Sequence, residues 1–245
     1  MLAVGGNSHI NTTSKSILVA TDDPAMRERV AATLPEAAEA GIVLASGSVP
    51  ETLARTAQER GSALLVTGVA RYNSLGDYLL GTAVDHVVRT AQIPVLVVKQ
   101  RVRGPYETLL VASDLSTCSR KALATAGEFF PEATLHLVHA YHVPFEGWLK
   151  SEQVANEARD EAQGELDAFL KDPALPEAIR ARVRVRIGYG ETAAVMAKAL
   201  RETGADLVVL GTHGKSGFTR ATMGSNAESI LSWAPVDTLM VRERV

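Results

Sequence analysis

The chain has 245 residues, 46% hydrophobic and 22% charged, the balance of a globular protein with room for one large domain or two small ones. Its formal charge of −3 excludes a nucleic-acid binder that works through a broad basic field, and a single cysteine, Cys118, excludes an intrachain disulfide. No uninterrupted apolar run is long enough to span a membrane, and the lone thiol suits a reducing, cytoplasmic setting.

Taken in chain order, residues 1–15 lack the basic and apolar regions of a signal peptide and read as a loose, disordered tail. SILVATD (Ser16–Asp22) reads as the first buried strand, and it recurs as TLLVASD (Thr108–Asp114). GSALLVTG (Gly61–Gly68) recurs as GADLVVLG (Gly204–Gly211), and GTAVDHVVRTAQIPVLVV (Gly81–Val98) recurs as GSNAESILSWAPVDTLMV (Gly224–Val241). The polar stretch KQRVRGPYE (Lys99–Glu107) separates the copies and places the linker at 101–107, between a first unit at 16–100 and a second at 108–245.

In the second copy the apolar pattern predicts strands near 108–113, 134–140, 183–187, 206–211 and 237–242. Helices are predicted near 116–129, 150–171, 191–203 and 224–233, the second of them amphipathic through Val154, Ala158, Ala162, Leu166 and Leu170. Continuous runs such as LVVL and LLVA suit strands buried on both faces. The fold class is therefore α/β, two tandem Rossmann-like units with parallel sheets covered by helices. Matching residues lie 92 positions apart at the first strand and 143 apart at the glycine strand, so the first copy is 51 residues shorter. The loss falls between Pro35 and Gly41, where the second copy carries ATLHLVHAYH and its long charged helix, and it reduces the first unit by one strand and one helix.

Gly214-Lys215-Ser216 follows an apolar run and superficially matches a P-loop, but the earlier glycine that motif requires is Val209, inside the strand. What remains is Gly211-x2-Gly214-x9-Gly224-Ser225. Gly211 closes a strand at the carboxyl end of the sheet, where open α/β folds take their ligands. Gly214 lets the backbone approach a bulky anion, and Gly224 and Ser225 open a helix whose first amides are unpaired. A purely structural reading competes with this one: Ser225 and Glu228 match the S-x-x-E capping box, and the glycines could simply form a turn. The first copy keeps Gly68, Gly81 and Thr82 but has Arg71 where the second has Gly214, which separates a glycine needed for a ligand from glycines needed for folding.

On these motifs the chain resembles a tandem universal stress protein from Ser16 to Val245, with the Rossmann-like fold of the adenine nucleotide alpha hydrolases. The resemblance implies an ATP site in the second unit, with Mg2+ or Mn2+ bridging the phosphates. By position, Ala112, Ser113 and Asp114 would approach the adenosine, and the backbone of Ala140 would read the adenine edge. Leu210 and Gly211 would flank the ribose, while Gly214, Gly224, Ser225 and Asn226 would surround the phosphates; Asn226 departs from the apolar residue usual there. The first unit keeps Asp22 but is expected to be nucleotide-free. The resemblance further implies pairing of the units through IPVLVV and VDTLMV, an edge that otherwise needs covering, and a possible homodimer. The activity implied is a stress-response binding module with little or no turnover. A slow ATPase or nucleotidyl transferase using His213, and a nucleotide-free interaction scaffold, are the alternatives.

Other residues read structurally. His139 should point away from His136 and His142, so the three cannot converge on a metal from one regular strand. Arg180, Arg182, Arg184 and Arg186 alternate like the solvated face of an edge strand, and Cys118 reads as a small buried residue. Lys215 could counter phosphate charge, and Trp148 could close over the site.

Overall fold

The computed structural model describes residues 2–5, 14–20, 25, 28, 41–71, 78–79, 82–101, 104–142, 152–214 and 223–243. Lys215, Trp148 and Asp22 lie outside these residues.

The second unit follows its apolar pattern closely. Its strands are β8 (Thr108–Ser113), β9 (Thr134–Tyr141), β10 (Val183–Tyr189), β11 (Leu207–Gly211) and β12 (Asp237–Val241), all parallel in the order β10-β9-β8-β11-β12. Helices α3 (Thr117–Phe129), α4 (Glu152–Lys171), α6 (Thr192–Thr203) and α7 (Ser225–Trp233) connect them, with a one-turn helix α5 (Glu177–Arg180) before β10. The short α5 escapes sequence periodicity. It packs so tightly that a Cβ on Gly127 would lie 2.6 Å from the Ile179 side chain.

The first unit contributes β1 (Leu2–Gly5), β2 (Ser14–Ala20), β3 (Gly41–Ala45), β4 (Ser62–Gly68) and β7 (Val95–Val98), with helices α1 (Val49–Glu59) and α2 (Thr82–Thr90). A separate two-strand ladder joins β5 (Ala70–Arg71) to β6 (Tyr78–Leu79). Among the described residues β3 pairs directly with β2, in parallel, as β9 does with β8.

The expectation of a loose tail over 1–15 is corrected here. Leu2–Gly5 inserts between β2 and β4, antiparallel to both, with Ala3 opposite Ser16 on one side and Leu65 on the other. Four residues bounded by glycine carry no readable periodicity, and their pairing runs through backbone groups that any sequence supplies. This strand restores a five-strand width to the shortened unit.

The units join through β7 and β12, antiparallel with Leu96 opposite Leu239, giving one mixed sheet of ten strands among the described residues. Alternate side chains feed two cores. Leu110, Val208, Leu210 and Met240 pack under α1, α2, α6 and α7, so this layer runs unbroken across the seam. Leu109, Val111, Val209 and Leu239 pack on the other face, against α3 and α4.

Polar groups fasten the same seam. Lys99, 2% exposed, donates from Nζ to the carbonyls of Leu231 (2.6 Å) and Ala234 (2.8 Å), where the partial negative charge of α7 ends. Asp237 accepts from the backbone amides of Lys99 and Gln100 and from the Tyr106 hydroxyl at 2.5 Å. Burial pushes the Lys99 ammonium down to about 8 despite the opposing charge of Asp237.

The arginine series is only partly a strand face. Arg180 ends α5, and Arg182 donates to the carbonyls of Gly127, Phe130 and Ala133, where it terminates α3. Arg184 and Arg186 do lie on the edge strand β10, and Arg186 pairs with Glu202 at 3.0 Å.

Candidate functional site

β8 and β11 are direct neighbours, with Leu207 opposite Leu109, and the chain leaves their carboxyl ends in opposite directions. This is the switch point of an open α/β sheet, where a crevice must form. A cleft of about 500 Å³ opens there, within the ~300–1,000 Å³ usual for small-molecule sites. All ten residues singled out by position line it.

The first wall is the turn after β8. Ser116 caps α3 by accepting from the Ser119 amide, and Ser116 itself donates from its backbone to Asp114 Oδ1 at 3.1 Å. Between them Leu115 takes φ +62°, a left-handed conformation unusual for a bulky side chain and held by a bond from its amide to Ser113 Oγ at 3.0 Å. The sharp reversal leaves the Asp114 carboxylate at the cleft rim, facing Gly214. A Cβ on Gly214 would lie 2.6 Å from Asp114 Oδ2.

The three glycines of the motif answer to different demands. Gly211 is wedged against α3: a Cβ there would meet Cys118 Sγ at 3.0 Å and the Cys118 carbonyl carbon at 3.2 Å. Cys118 is buried, as expected, and its thiol donates to the Val241 carbonyl. Gly224 has ordinary backbone angles (φ −62°, ψ 141°), and among the described residues a Cβ there would meet only the Thr212 carbonyl, at 3.7 Å. No described residue requires a glycine at 224. The space beside it is open cleft.

The second wall is the amino end of α7. Thr212 ties the loop at both ends, donating to the Val241 carbonyl and accepting from the Gly224 amide, each at 2.9 Å. The capping-box reading of Ser225 fails, because Gly224 takes the N-cap position and no side chain caps the helix. Glu228, the other half of that box, instead pairs with Arg89 of the first unit at 3.0 Å. The amides of Ser225, Asn226 and Ala227 make no backbone hydrogen bond among the described residues, so they form an uncapped, partly positive rim.

The rest of the cleft is less polar. Ala112, Leu210, Val138, Met196 and Ile230 line it with apolar side chains, and Ala140 and Thr192 line it as well. His139 Nδ1–H donates to the Ser113 carbonyl at 2.9 Å, which fixes the ring beside the cleft. His142 also lines the cleft, because β9 ends at Tyr141 and strict alternation stops there. Sequence reasoning missed His142, Thr192 and Met196 as lining residues. The rule that open sheets bind at carboxyl ends flags the turn after β10 as well as those after β8 and β11, and Thr192 follows that turn.

His213 bonds Thr212 Oγ1 through Nδ1 at 2.8 Å, while its buried Nε2 has no partner among the described residues. Burial lowers its pKa, the nearby Arg242 lowers it further, and Glu243 opposes both. Among the described residues no group of three His, Cys, Asp or Glu side chains is placed to hold a metal unaided.

The donors present fit a polyanion joined to an apolar, planar group. Amide hydrogens and two glycines, several apolar side chains and the Asp114 carboxylate all line the one cleft.

The profile of the universal stress protein family matches residues 22–99 and 105–242. A Staphylococcus epidermidis protein assigned to the universal stress proteins is 41% identical over 61 residues, a match spanning 24% of this chain and 37% of that relative's length. A universal stress protein from Archaeoglobus fulgidus superposes with a TM-score of 0.64 at 19% identity, covering 93% of this chain and 85% of the other. A structure from Pseudomonas aeruginosa assigned to the same proteins gives a TM-score of 0.62 at 21% identity, covering 92% and 80%. At these identities the likeness establishes the α/β fold. No helix among the described residues is long and apolar enough to cross a membrane.

Proposed function

The chain belongs to the universal stress protein family, and from that premise we propose that its second unit binds ATP in the cleft between β8 and β11. The observation that carries this reading is the uncapped start of α7 facing a gap that Gly224 leaves open without structural need. Amides of Ser225 and Asn226, with the Ser225 hydroxyl, would hold the phosphates, and Gly214 would admit them. Asp114 would accept from ribose hydroxyls, Leu210 and Gly211 would flank the sugar, and the adenine would lie over Ala112 toward the backbone of Ala140. Mg2+ or Mn2+ would ride on the phosphate oxygens, since Asp114 is the one carboxylate among the described residues lining the cleft.

The first unit serves as a built-in partner and binds no nucleotide. In support, β1 lies between β2 and β4, whose carboxyl ends therefore stand two strand spacings apart, about 9–10 Å instead of ~4.8 Å. The protein acts as a nucleotide-responsive stress module, and a reducing cytoplasm suits its single buried thiol. Titration of labelled ATP in the presence of Mg2+ tests the reading. One site per chain is expected, with binding abolished in Gly214→Arg; saturable binding that survives this substitution would sink it.

A second reading, slow phosphoryl hydrolysis, rests on His213, which lines the cleft, is held toward its neutral form by burial, and has no partner for Nε2 among the described residues. Multiple-turnover phosphate release lost in His213→Ala, with ATP affinity retained, would establish it.

A further inference from the structure

Arg89 ends α2 in the first unit, yet its guanidinium reaches the second. Nη2 donates to Glu228 Oε1 at 3.0 Å, and Nε donates to both oxygens of Asp85, at 3.0 and 2.9 Å. The Arg89 carbonyl accepts from Arg242 Nη1 at 2.6 Å, so the residue is fastened to the second unit by backbone as well as side chain. The hydrogen-bonded Asp85, helped by Glu228, pushes the guanidinium pKa still higher, so Arg89 is cationic throughout the folded range. Strand β6 of the same unit packs beside α7.

Glu228 lies in the first turn of α7. A carboxylate there ordinarily stabilises a helix, because it complements the positive end of the peptide dipoles. At a helix start that must receive phosphates the same charge becomes a competitor, repelling the ligand and seeking the same donors. With Gly224 at the N-cap, Glu228 stands at N4, within reach of the turn whose amides face the cleft but not placed to cap them. It is turned to the seam and neutralised by a cation from the other unit.

We propose that Arg89 is a positioning residue for nucleotide phosphates, clearing the anion-binding end of α7 by drawing Glu228 away from it. Through this pair the nucleotide-free unit sets the affinity of the cleft in its neighbour. The inference rests on the reading of that cleft as an ATP site.

Calorimetric titration of Mg2+·ATP into the full chain, at low and high salt, tests it. Arg89→Ala is expected to weaken binding about three- to ten-fold at low ionic strength, with the loss shrinking as salt screens the Glu228 charge. Arg89→Lys should keep most of the affinity, and Glu228→Gln alone should bind at least as tightly as the parent. Combining Arg89→Ala with Glu228→Gln should restore parental affinity, because the charge to be neutralised is gone. Glu228→Gln leaves the Asp85 and Arg242 bonds in place, so it still decides the matter if Arg89→Ala fails to fold. Parental affinity in Arg89→Ala, a loss that Glu228→Gln does not recover, or weaker binding in Glu228→Gln would overturn the inference while leaving the ATP reading intact. No binding by the parent would end both.

Discussion

Two copies of one loop sit in this chain, and they have diverged in instructive ways. In the second unit Thr212 bonds both Val241 and Gly224, and residues 211–214 and 224 line the cleft. In the first, the matching segment after Gly68 carries a short ladder in which Arg71, at the position of Gly214, pairs with Tyr78. Behind that ladder β2 and β4 no longer touch, because β1 lies between them. Sheet and loop thus differ together: one copy keeps a cleft where its two strands meet, and in the other a strand stands between the matching pair while a helix reaches the seam. The lesson concerns glycines. The end of β11 requires Gly211 because α3 presses on it, whereas no described residue crowds Gly224.

The sharpest way to break this contrast is to exchange the loops' key residues. Gly214→Arg should abolish ATP binding, by at least a hundred-fold in affinity by calorimetry. The converse, Arg71→Gly, should create no second site, and the stoichiometry should stay at one per chain because the sheet behind it is still filled. Val4→Pro attacks that filling directly. Proline in a strand paired on both sides removes a ladder bond and should cost about 3 kcal/mol or more in urea unfolding. ATP binding by the second unit should survive.

A smaller effect separates the two structural classes of glycine. Gly211→Ala forces a Cβ against backbone and sulfur of Cys118, and should cost about 1–3 kcal/mol of stability. Gly224→Ala should cost under ~1 kcal/mol, mostly through a poorer N-cap, while weakening ATP about ten-fold by filling the cleft. Equal stability losses in the two variants would remove the distinction.

The smallest expected effect concerns the seam. Lys99 has a folded-state pKa near 8, below its ordinary 10.5, so between these values the unfolded chain binds more protons. Its contribution to stability is therefore complete above about 10.5 and is lost as pH falls through 8. Tyr106 works in the opposite sense, its pKa raised by burial and Asp237, and destabilises the fold only above its ordinary 10. Between pH 8 and 10 the parent should gain on the order of 1–2 kcal/mol relative to Lys99→Met, measured by urea unfolding at both values. A difference independent of pH would mean that Lys99 is not titrating at the seam.

Much of this architecture was legible because it is written in burial. LVVL and LLVA are buried on both faces and could hardly be anything but central parallel strands, and the repeat aligned the two units before any coordinates. The ten cleft residues came from the resemblance to the universal stress proteins, carried over by position onto those strands and the helix start after them. What escaped was structure made by backbone or by distant partners. Leu2–Gly5 has no pattern to read, since its role is to supply amides and carbonyls to both neighbours. Ser225 and Glu228 matched a capping box, but a guanidinium 139 residues away outcompetes the local bond. Arg182 resembled a strand side chain because its spacing was right, while the carbonyls it closes off belong to a helix some fifty residues earlier.

The central strand Leu2–Gly5 also bears on how the molecule is made. On the ribosome it can form a hairpin with Ser14–Ile17 at once, but its other partner, β4, follows only after residue 62 is added. At ~5–20 residues per second, that hairpin waits roughly 2–8 s with a bare hydrogen-bonding flank. Newly synthesised chains therefore pass through a sticky interval that the finished protein conceals, and shielding by chaperones should matter most during it.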